Sequence, residues 1–257
     1  MSKEFYRRRL PHWQLPQATY FVTYRLAGSI PKEVIQHIQS AYHAEVAAAR
    51  AEVARNSIPG EEGIESAERC SAAHVARNSV PGEEGIENTE RSSTTQISPQ
   101  LQKELATLLK MKQYDAQKRQ FKAWDDFLDS NLNEPHWLKQ DAIAELNMNS
   151  IKFYDGKYYQ LLACTILSNH IHLLFNLLPE APDLGKVMQG LKRYTALHSN
   201  RLLGRAGQFW AEESYDHIVR DGEFERILAY LVNNPVKAGL VNKWEDWKWT
   251  FCHESLC

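Results

Sequence analysis

The segment Ser168–Phe175, with the sequence SNHIHLLF, carries two histidines separated by a single residue. Its composition favours a β-strand, on which successive side chains point to opposite faces of the sheet. His170 and His172 are therefore expected on one face, with Ile171 and Leu173 on the other. Neutral imidazole is the commonest metal ligand in proteins, so this pair predicts part of a metal site. Two ordinary polar residues on a half-exposed strand are the alternative that so short a pattern leaves open.

A tyrosine and an asparagine form a second pair of residues that could take part in a reaction. Tyr230 and Asn234 are four residues apart in a segment predicted to be helical from Glu223 to Asn233 or Asn234, so they share one helix face. A phenol is a weak nucleophile at neutral pH, since its pKa is about 10. A divalent cation beside it would polarise a phosphodiester, and attack on DNA would give a covalent phosphotyrosine. The alternative is that Tyr230 is a core aromatic residue with its hydroxyl at the edge.

A second tyrosine competes for the role of nucleophile. Tyr194 follows Lys192 and Arg193 in a helix predicted to start after Asp183, and positive neighbours favour a phenolate. We favour Tyr230 because its own helix ties it to an amide that could reach a metal. The basic pair Lys192 and Arg193 is expected to contact DNA phosphates, with a merely solvated helix face as the alternative.

The N-terminal segment mixes basic and aromatic side chains. Arg7, Arg8 and Arg9 are followed closely by Trp13. Single-stranded nucleic acid needs both positive charge for its phosphates and aromatic faces for its bases. These four residues are therefore predicted to bind DNA, and a solvated basic tail is the alternative.

The elements that must position these residues alternate between strands and helices. Residues 19–26 are rich in β-branched and aromatic residues and predict a strand, and leucines at helical spacing predict a helix over residues 100–130. The order along the chain is strand, helix, strand, strand, helix, strand, helix. The remaining segments are a helix from residue 32 past residue 49, a helix over 137–148, strands over 158–167 and 168–179, a helix over 183–203 and a strand near 217–219.

An internal repeat interrupts this order. Residues 53–65 recur as residues 75–87 with one substitution, and two copies are too few to stack into a solenoid. The repeat is acidic, contains Pro-Gly and is almost free of aromatic residues. We therefore expect a flexible insertion at about residues 53–99, within a single domain spanning residues 1–257, and expect residues 53–92 to be dispensable for any cleavage of DNA.

Composition sets broad limits on the protein. The chain has 257 residues, of which 43% are hydrophobic, and a net charge of −2. Residues 45–98 contain five Arg and ten Glu, so the rest of the chain is mildly basic. There is no run of 18 apolar residues and no apolar signal core near the N-terminus, and the four cysteines have no paired spacing. A cytoplasmic protein that does not enter membranes is expected.

Taken together, the motifs resemble those of the HUH single-tyrosine transposases, in particular the REP-associated tyrosine transposases. The histidine motif is Asn169-His170-Ile171-His172, and the tyrosine motif lies in the segment 225–241, ERILAYLVNNPVKAGLV. The similarity extends over most of residues 5–251 apart from the repeat. Further similar segments are Tyr215–Asp221, Pro135–Lys139, Gly207–Trp210 and Glu245–Trp249.

The resemblance implies an α+β fold of ferredoxin-like type, in which helices flank a central antiparallel sheet. It implies that Tyr230 is the nucleophile, that His170 and His172 bind Mg²⁺ or Mn²⁺, and that Asn234 is a third ligand, although related transposases often carry Gln there. It further implies cleavage of single-stranded DNA at palindromic hairpins, leaving a 5′-phosphotyrosine and a free 3′-hydroxyl. The protein would act as a monomer or a homodimer.

Two other functions remain open at this point. A domesticated protein could recognise DNA hairpins without cutting them, and it would tolerate loss of Tyr230. A metal-dependent hydrolase of small substrates would need more ligands, for which Asp216 and His217 are the available candidates.

Overall fold

The computed structural model describes residues 17–57, 98–131 and 135–256, together with the backbone of residues 5–7 and 11–13. Two short 3-10 turns lie at Trp137–Lys139 and Trp244–Asp246. The other elements, in chain order, are β1 (Phe5–Arg7), β2 (Pro11–Trp13), β3 (Thr19–Arg25), α1 (Lys32–Asn56), α2 (Pro99–Ser130), α3 (Asp141–Tyr154), β4 (Tyr159–Ile166), β5 (His170–Leu177), α4 (Leu184–Leu202), β6 (Tyr215–Ile218), α5 (Phe224–Val232), α6 (Asn234–Lys237) and β7 (Thr250–Cys252).

The centre of the fold is a five-stranded sheet in the order β6-β3-β5-β4-β7, with antiparallel pairing throughout. β3 and β4 each run antiparallel to β5, which lies between them. Along the chain, helices α1 to α3 lie between β3 and β4, and α4 lies between β5 and β6. Strands β3, β4, β5 and β6 are thus arranged as in a ferredoxin-like sandwich. The predicted α+β fold with a central antiparallel sheet flanked by helices is confirmed.

One face of this sheet carries the main hydrophobic core. Because side chains alternate along a strand, Ile171, Leu173 and Phe175 of β5 fall on the same face. All three are fully buried. They pack with residues of β3, α3 and α4, among them Tyr20, Val22, Tyr24, Ile143, Ile151, Leu184, Val187 and Leu191.

The opposite face of the sheet combines a smaller apolar cluster with buried polar groups. Phe21 and Leu174 pack there against Ile227 and Leu231 of α5. The C-terminal part of α2 is held near this face by a buried hydrogen bond of 3.0 Å from the Asn169 side chain to a carbonyl of α2. This face therefore receives side chains from two helices as well as from β3 and β5.

The chain forms two compact units, and the smaller one comprises Gln39–Gln120. Within it, Lys112 pairs with Glu52 at 2.6 Å and Arg119 with Glu45 at 2.8 Å, linking the two long helices. Such exposed ion pairs contribute little to stability, so buried residues such as Ala49, Leu105 and Ala116 matter more.

The helix boundaries correct two details of the prediction. α1 continues to Asn56, past residue 53, where the insertion was expected to start. The next helix, α2, begins at Pro99, and most of the repeat lies outside the described residues. The helix predicted to reach Asn233 or Asn234 ends at Val232, so Tyr230 and Asn234 are not on one helix, and Pro235 does not belong to α5. It instead occupies the first turn of α6, where a missing N–H costs nothing. Of the helices in the described ranges, none has both the length and the apolar character needed to cross a membrane.

Replacing Phe175 tests the main core. Its ring is fully buried, with the Tyr159 ring centroid 4.6 Å away. We expect Phe175→Ala to lower the free energy of unfolding by about 3–5 kcal/mol through lost burial and a residual cavity. Urea denaturation measures this change. Phe153→Ala makes the same substitution at a site that is 63% exposed and should cost at most about 0.5 kcal/mol; equal losses in the two variants would contradict this account of the core.

Candidate active site

The two histidines of β5 lie side by side under the smaller apolar cluster. His170 and His172 are 1% and 0% exposed, so they are not the half-exposed polar residues of the alternative interpretation. Their ring centroids are 4.7 Å apart and their Nε2 atoms are 3.1 Å apart. Both rings project from the same sheet face because they are two residues apart on one strand.

Hydrogen bonds at the other ring nitrogens orient both imidazoles. His170 Nδ1 lies 2.7 Å from Asn169 Oδ1, and an amide oxygen can only accept a hydrogen bond. His170 Nδ1 must therefore carry the proton, which leaves a lone pair on Nε2. His172 Nδ1 lies 2.6 Å from the Thr23 hydroxyl, the residue opposite it on β3. Partners of this kind are typical of histidines that bind metals.

The surroundings keep both imidazoles neutral. Burial is the main cause and lowers the pKa of each to about 3. For His170 the neighbouring His172 adds to this effect, and the negative charge of Asp125 opposes it. Neutral imidazole is the form that binds a metal ion.

A carboxylate that the sequence analysis missed completes the group. Asp125 on α2 is 1% exposed, and its Oδ1 lies 3.4 Å from His172 Nε2 and 3.8 Å from His170 Nε2. This Oδ1 makes no hydrogen bond. The ligand atoms of Asp125, His170 and His172 all lie within 4.8 Å of one another, so the three side chains could hold a metal ion.

Asn234 also reaches this group. Its Nδ2 lies 3.2 Å from His172 Nε2, and its Oδ1 is buried with no hydrogen-bond partner. Rotation of the amide by 180° would exchange the two atoms and turn the oxygen towards the histidines. Asn234 belongs to α6 and not to the helix of Tyr230, but it lies close enough to the metal-ligand atoms to join them.

These atoms fit a single cation. Two ligands at right angles on an ion with bonds of about 2.1 Å are about 3.0 Å apart, close to the Nε2–Nε2 separation of 3.1 Å. Beside the two imidazoles, the oxygens Asp125 Oδ1 and Asn234 Oδ1 are buried without a hydrogen-bond partner, which is unfavourable unless a cation compensates them. The donor set therefore suits a divalent metal ion.

Tyr230 contacts the same carboxylate from its other side. Its hydroxyl donates a hydrogen bond to Asp125 Oδ2, and its ring centroid lies 5.8 Å from that of His172. Burial, and then the negative charge of Asp125, raise the pKa of the Tyr230 phenol above its ordinary value. Asp125 thus presents one oxygen to the histidines and the other to the tyrosine.

Further charges surround Asp125. Asp129 Oδ1 lies 3.7 Å from His170 Nε2, and Lys237 Nζ lies 2.9 Å from Asp129 Oδ2 and 2.8 Å from Asp126 Oδ1. Burial and the charge of Asp125 raise the pKa of Asp129 to about 6, although Lys237 opposes the shift. Burial alone would lower the pKa of Lys237, but its hydrogen bonds to Asp126 and Asp129 outweigh that effect and raise it.

One signal in the sequence could have identified Asp125. Phe121 and Leu128 lie four residues before and three residues after it, so Asp125 falls on the apolar stripe of its helix. A carboxylate on a buried stripe is rarely found without a partner. By contrast, Asp216 and His217 do not join the metal group: His217 Nε2 instead pairs with Glu223 Oε2 at 2.8 Å.

The predicted DNA-binding residues of α4 lie on the other side of the sheet. α4 packs against the main core, opposite the histidines. The Lys192 ammonium donates to the carbonyl oxygen of Ala211 at 2.7 Å and to the Ser214 hydroxyl at 3.1 Å, whereas Arg193 is exposed. Tyr194, the competing nucleophile, is 49% exposed and belongs to α4, on the sheet face opposite the histidines.

The N-terminal prediction falls outside what the structure describes. Arg8 and Arg9 lie among the residues that are not described, and Arg7 and Trp13 are described by their backbone alone. Their role in binding DNA stays a prediction.

Comparison with known proteins adds one informative relative. No protein-family model matches the chain. A curated REP-associated tyrosine transposase of Haemophilus influenzae is 29% identical over 109 residues, which are 38% of this chain and 61% of the relative. A solved structure of a REP-associated tyrosine transposase bound to a REP hairpin aligns with a TM-score of 0.44 and 13% identity, over 97% of this chain and 82% of the other. The curated relative confirms the resemblance that the motifs indicated.

The buried histidines make the stability of the metal-free protein depend on pH. Their pKa of about 3 in the folded chain lies below the value of about 6.5 expected when the chain unfolds. Between these values the unfolded chain binds more protons, so each histidine makes stability fall as the pH is lowered from about 6.5, by about 1.4 kcal/mol per pH unit. Asp129 acts in the opposite sense near pH 6, because its pKa is raised.

Comparing variants isolates the contribution of His172 to the pH dependence of the free energy of unfolding. Urea denaturation with a chelator, at several values between about pH 5 and pH 7, should show a shallower loss of stability in His172→Gln than in the wild type. His43→Gln removes an exposed histidine and is the control. The same slope in the wild type and in His172→Gln would contradict the assignment of a neutral buried imidazole.

Proposed function

We propose that this chain cleaves and rejoins single-stranded DNA at palindromic hairpins, with Tyr230 as the nucleophile and a 5′-phosphotyrosine as the intermediate. The observation that carries the proposal is the shared carboxylate of Asp125. It accepts the hydrogen bond of the Tyr230 hydroxyl and also faces the Nε2 atoms of His170 and His172. A tyrosine, a base and a set of metal ligands thus converge on one buried point.

The metal ligands in this proposal are Asp125, His170, His172 and Asn234. Two imidazoles with carboxylate and amide oxygens, completed by phosphate oxygens and water, suit Mn²⁺ or Mg²⁺ better than a closed zinc site. When bound, the cation would offset negative charge that develops on the phosphate. Thr23 and Asn169 orient the two imidazoles for this role.

The covalent step uses groups that are already in contact. The phenol proton of Tyr230 passes to Asp125 Oδ2, and the phenol oxygen forms a bond to phosphorus. The bond from phosphorus to the 3′ oxygen of the preceding nucleotide breaks, and that oxygen takes a proton from water, which recovers one from Asp125. The products are a 5′-phosphotyrosine and a free 3′-hydroxyl, and attack by a 3′-hydroxyl reverses the step to rejoin the strand.

The choice of substrate rests on the relatives and on the predicted basic surfaces. The curated relative is a REP-associated tyrosine transposase, and a structure of such a transposase holds a REP hairpin. Arg7, Arg8, Arg9 and Trp13 would bind phosphates and unstacked bases of the hairpin. The exposed Arg193 could contribute from α4, whereas Lys192 already holds the segment before β6 through hydrogen bonds.

Tyr230→Phe tests the nucleophile. We expect no covalent protein–DNA adduct from this variant with Mn²⁺ and a pool of single-stranded DNA hairpins, while hairpin binding stays nearly intact. The wild-type chain should give an adduct on a denaturing gel, and peptide mapping should place the DNA on Tyr230. Tyr194→Phe is the matched control and should still form the adduct. DNA mapped to Tyr194 would refute the assignment, and binding without any adduct from the wild type would favour the non-cleaving hairpin-binding protein.

Substitutions around the histidines test the metal site. His172→Gln should abolish Mn²⁺ binding measured by titration calorimetry, because it removes a ligand at the centre of the group. Thr23→Val removes only the partner of His172 Nδ1 and should weaken binding by about 10–100-fold. The control is His217→Gln, since His217 pairs with Glu223 outside the group. Unchanged Mn²⁺ affinity in His172→Gln would exclude this site.

A further inference from the structure

We propose that Lys237 binds the phosphate that Tyr230 attacks and offsets its negative charge during the reaction. The proposal rests on the proposed function and adds a residue that neither the motif chemistry nor the metal-ligand set requires. It assigns a catalytic contact to the last residue of α6, three positions after Asn234.

The short helix α6 places Lys237 at the entrance to the site. Asn234, at its first position, is 0% exposed and contacts His172. The Lys237 side chain is 42% exposed, whereas that of Asp125 is 1% exposed. The ammonium group therefore lies between the buried carboxylates and solvent, which is the side from which DNA must approach.

The distances bring Lys237 to the reacting atoms. Its Nζ lies 3.7 Å from Asp125 Oδ2, the oxygen that accepts the Tyr230 hydroxyl, and 5.8 Å from the centre of the Tyr230 ring. Attack requires phosphorus within about 3–3.5 Å of the phenol oxygen. A phosphate at that place has its non-bridging oxygens within reach of Lys237, because the lysine stem is flexible and its ammonium has three donors.

The charges around the phenol explain why such a group is needed. Asp125 and Asp129 are both buried beside the place where the phosphate must enter, and they would repel it. In the described ranges, Lys237 is the one lysine or arginine that pairs with both of these carboxylates. Donors aimed at developing charge are commonly the largest single contribution to catalysis, so this ammonium is well placed to stabilise the transition state.

A purely structural role is the competing explanation. Under that explanation, Lys237 serves only as the counter-ion of Asp125, Asp126 and Asp129, with which it pairs at 3.7, 2.8 and 2.9 Å. In that case its replacement would disturb the site regardless of the charge on the DNA. A phosphate contact instead makes the effect depend on the charged non-bridging oxygen.

The first measurement is the single-turnover rate of adduct formation, with Mn²⁺ and a saturating synthetic hairpin that the wild-type chain cleaves. We expect Lys237→Gln to slow this rate by about 100-fold and Lys237→Arg to restore most of it. Lys122→Gln is the matched control, because Lys122 pairs with Asp126 at 2.5 Å from the exposed side and its loss removes the same charge. Its rate should equal that of the wild type.

The second measurement separates phosphate binding from structural support. In the Tyr230→Phe background, with a chelator present so that no metal ion contacts the phosphate, hairpin affinity is compared between ordinary DNA and DNA with a neutral methylphosphonate at the scissile position. The neutral linkage should weaken binding by about tenfold when Lys237 is present, since a charge-assisted hydrogen bond is lost. With Lys237→Gln the two DNAs should bind equally. Should Lys237→Gln alone fold poorly, combining it with Asp129→Asn removes both charges of the pair and permits the same comparison.

The outcomes are distinct. A Lys237→Gln rate within about twofold of the wild type, or a methylphosphonate penalty that is the same with and without Lys237, overturns the role of Lys237 and leaves the proposed function standing. Absence of any adduct from the wild-type chain overturns the proposed function and the role of Lys237 with it.

Discussion

The structure of the site depends on two neutral imidazoles held with their Nε2 atoms 3.1 Å apart inside the protein. The buried sheet would not tolerate two charged histidines, and burial accordingly lowers the pKa of both. His170 Nδ1 donates a hydrogen bond to Asn169 Oδ1, and His172 Nδ1 forms one with the Thr23 hydroxyl, which leaves the Nε2 atoms facing each other. Asp125 Oδ1 and Asn234 Oδ1 are buried beside these imidazoles without a hydrogen-bond partner, and a cation bound there would compensate them.

The residues that form most of the hydrophobic core and the residues of the candidate site lie on opposite faces of the sheet. Its main core, on the face of Ile171, Leu173 and Phe175, contains the larger apolar cluster, packed under α3 and α4. The other face has fewer apolar residues, and there polar side chains from β3, β5, α2 and α6 come together. This separation allows the site to contain unsatisfied polar atoms, because the stability of the fold is supplied mainly on the opposite face.

Asp125 links the parts of the site electrostatically. Its two oxygens face different partners, the histidines on one side and Tyr230 on the other. Burial raises the pKa of the Tyr230 phenol and of the nearby Asp129, and the charge of Asp125 adds to both shifts. Lys237 compensates part of this negative charge from the solvent side. An anion that approached from the solvent side would therefore contact Lys237 before it reached the buried Asp125 and Asp129.

The sequence by itself determined the features that follow from local periodicity. The strand alternation predicted that His170 and His172 project from one face, and the hydrophobic periodicity predicted the order of strands and helices. The antiparallel sheet with flanking helices was implied by the resemblance to the transposases. The resemblance of the motifs, which the curated relative confirms, named Tyr230 and Asn234 as their companions. These inferences needed no knowledge of which distant segments meet.

Only the tertiary structure decided the rest, because it depends on contacts between segments that are far apart in the chain. Asp125 lies on the apolar stripe of its helix, which indicates burial but not the partner, and only packing brings it to the histidines. The sheet order likewise places α4, with Lys192 and Arg193, on the face opposite the histidines. A helical sequence specifies which of its residues share a face, but not the surface that this face will cover, since that surface is formed by other parts of the chain.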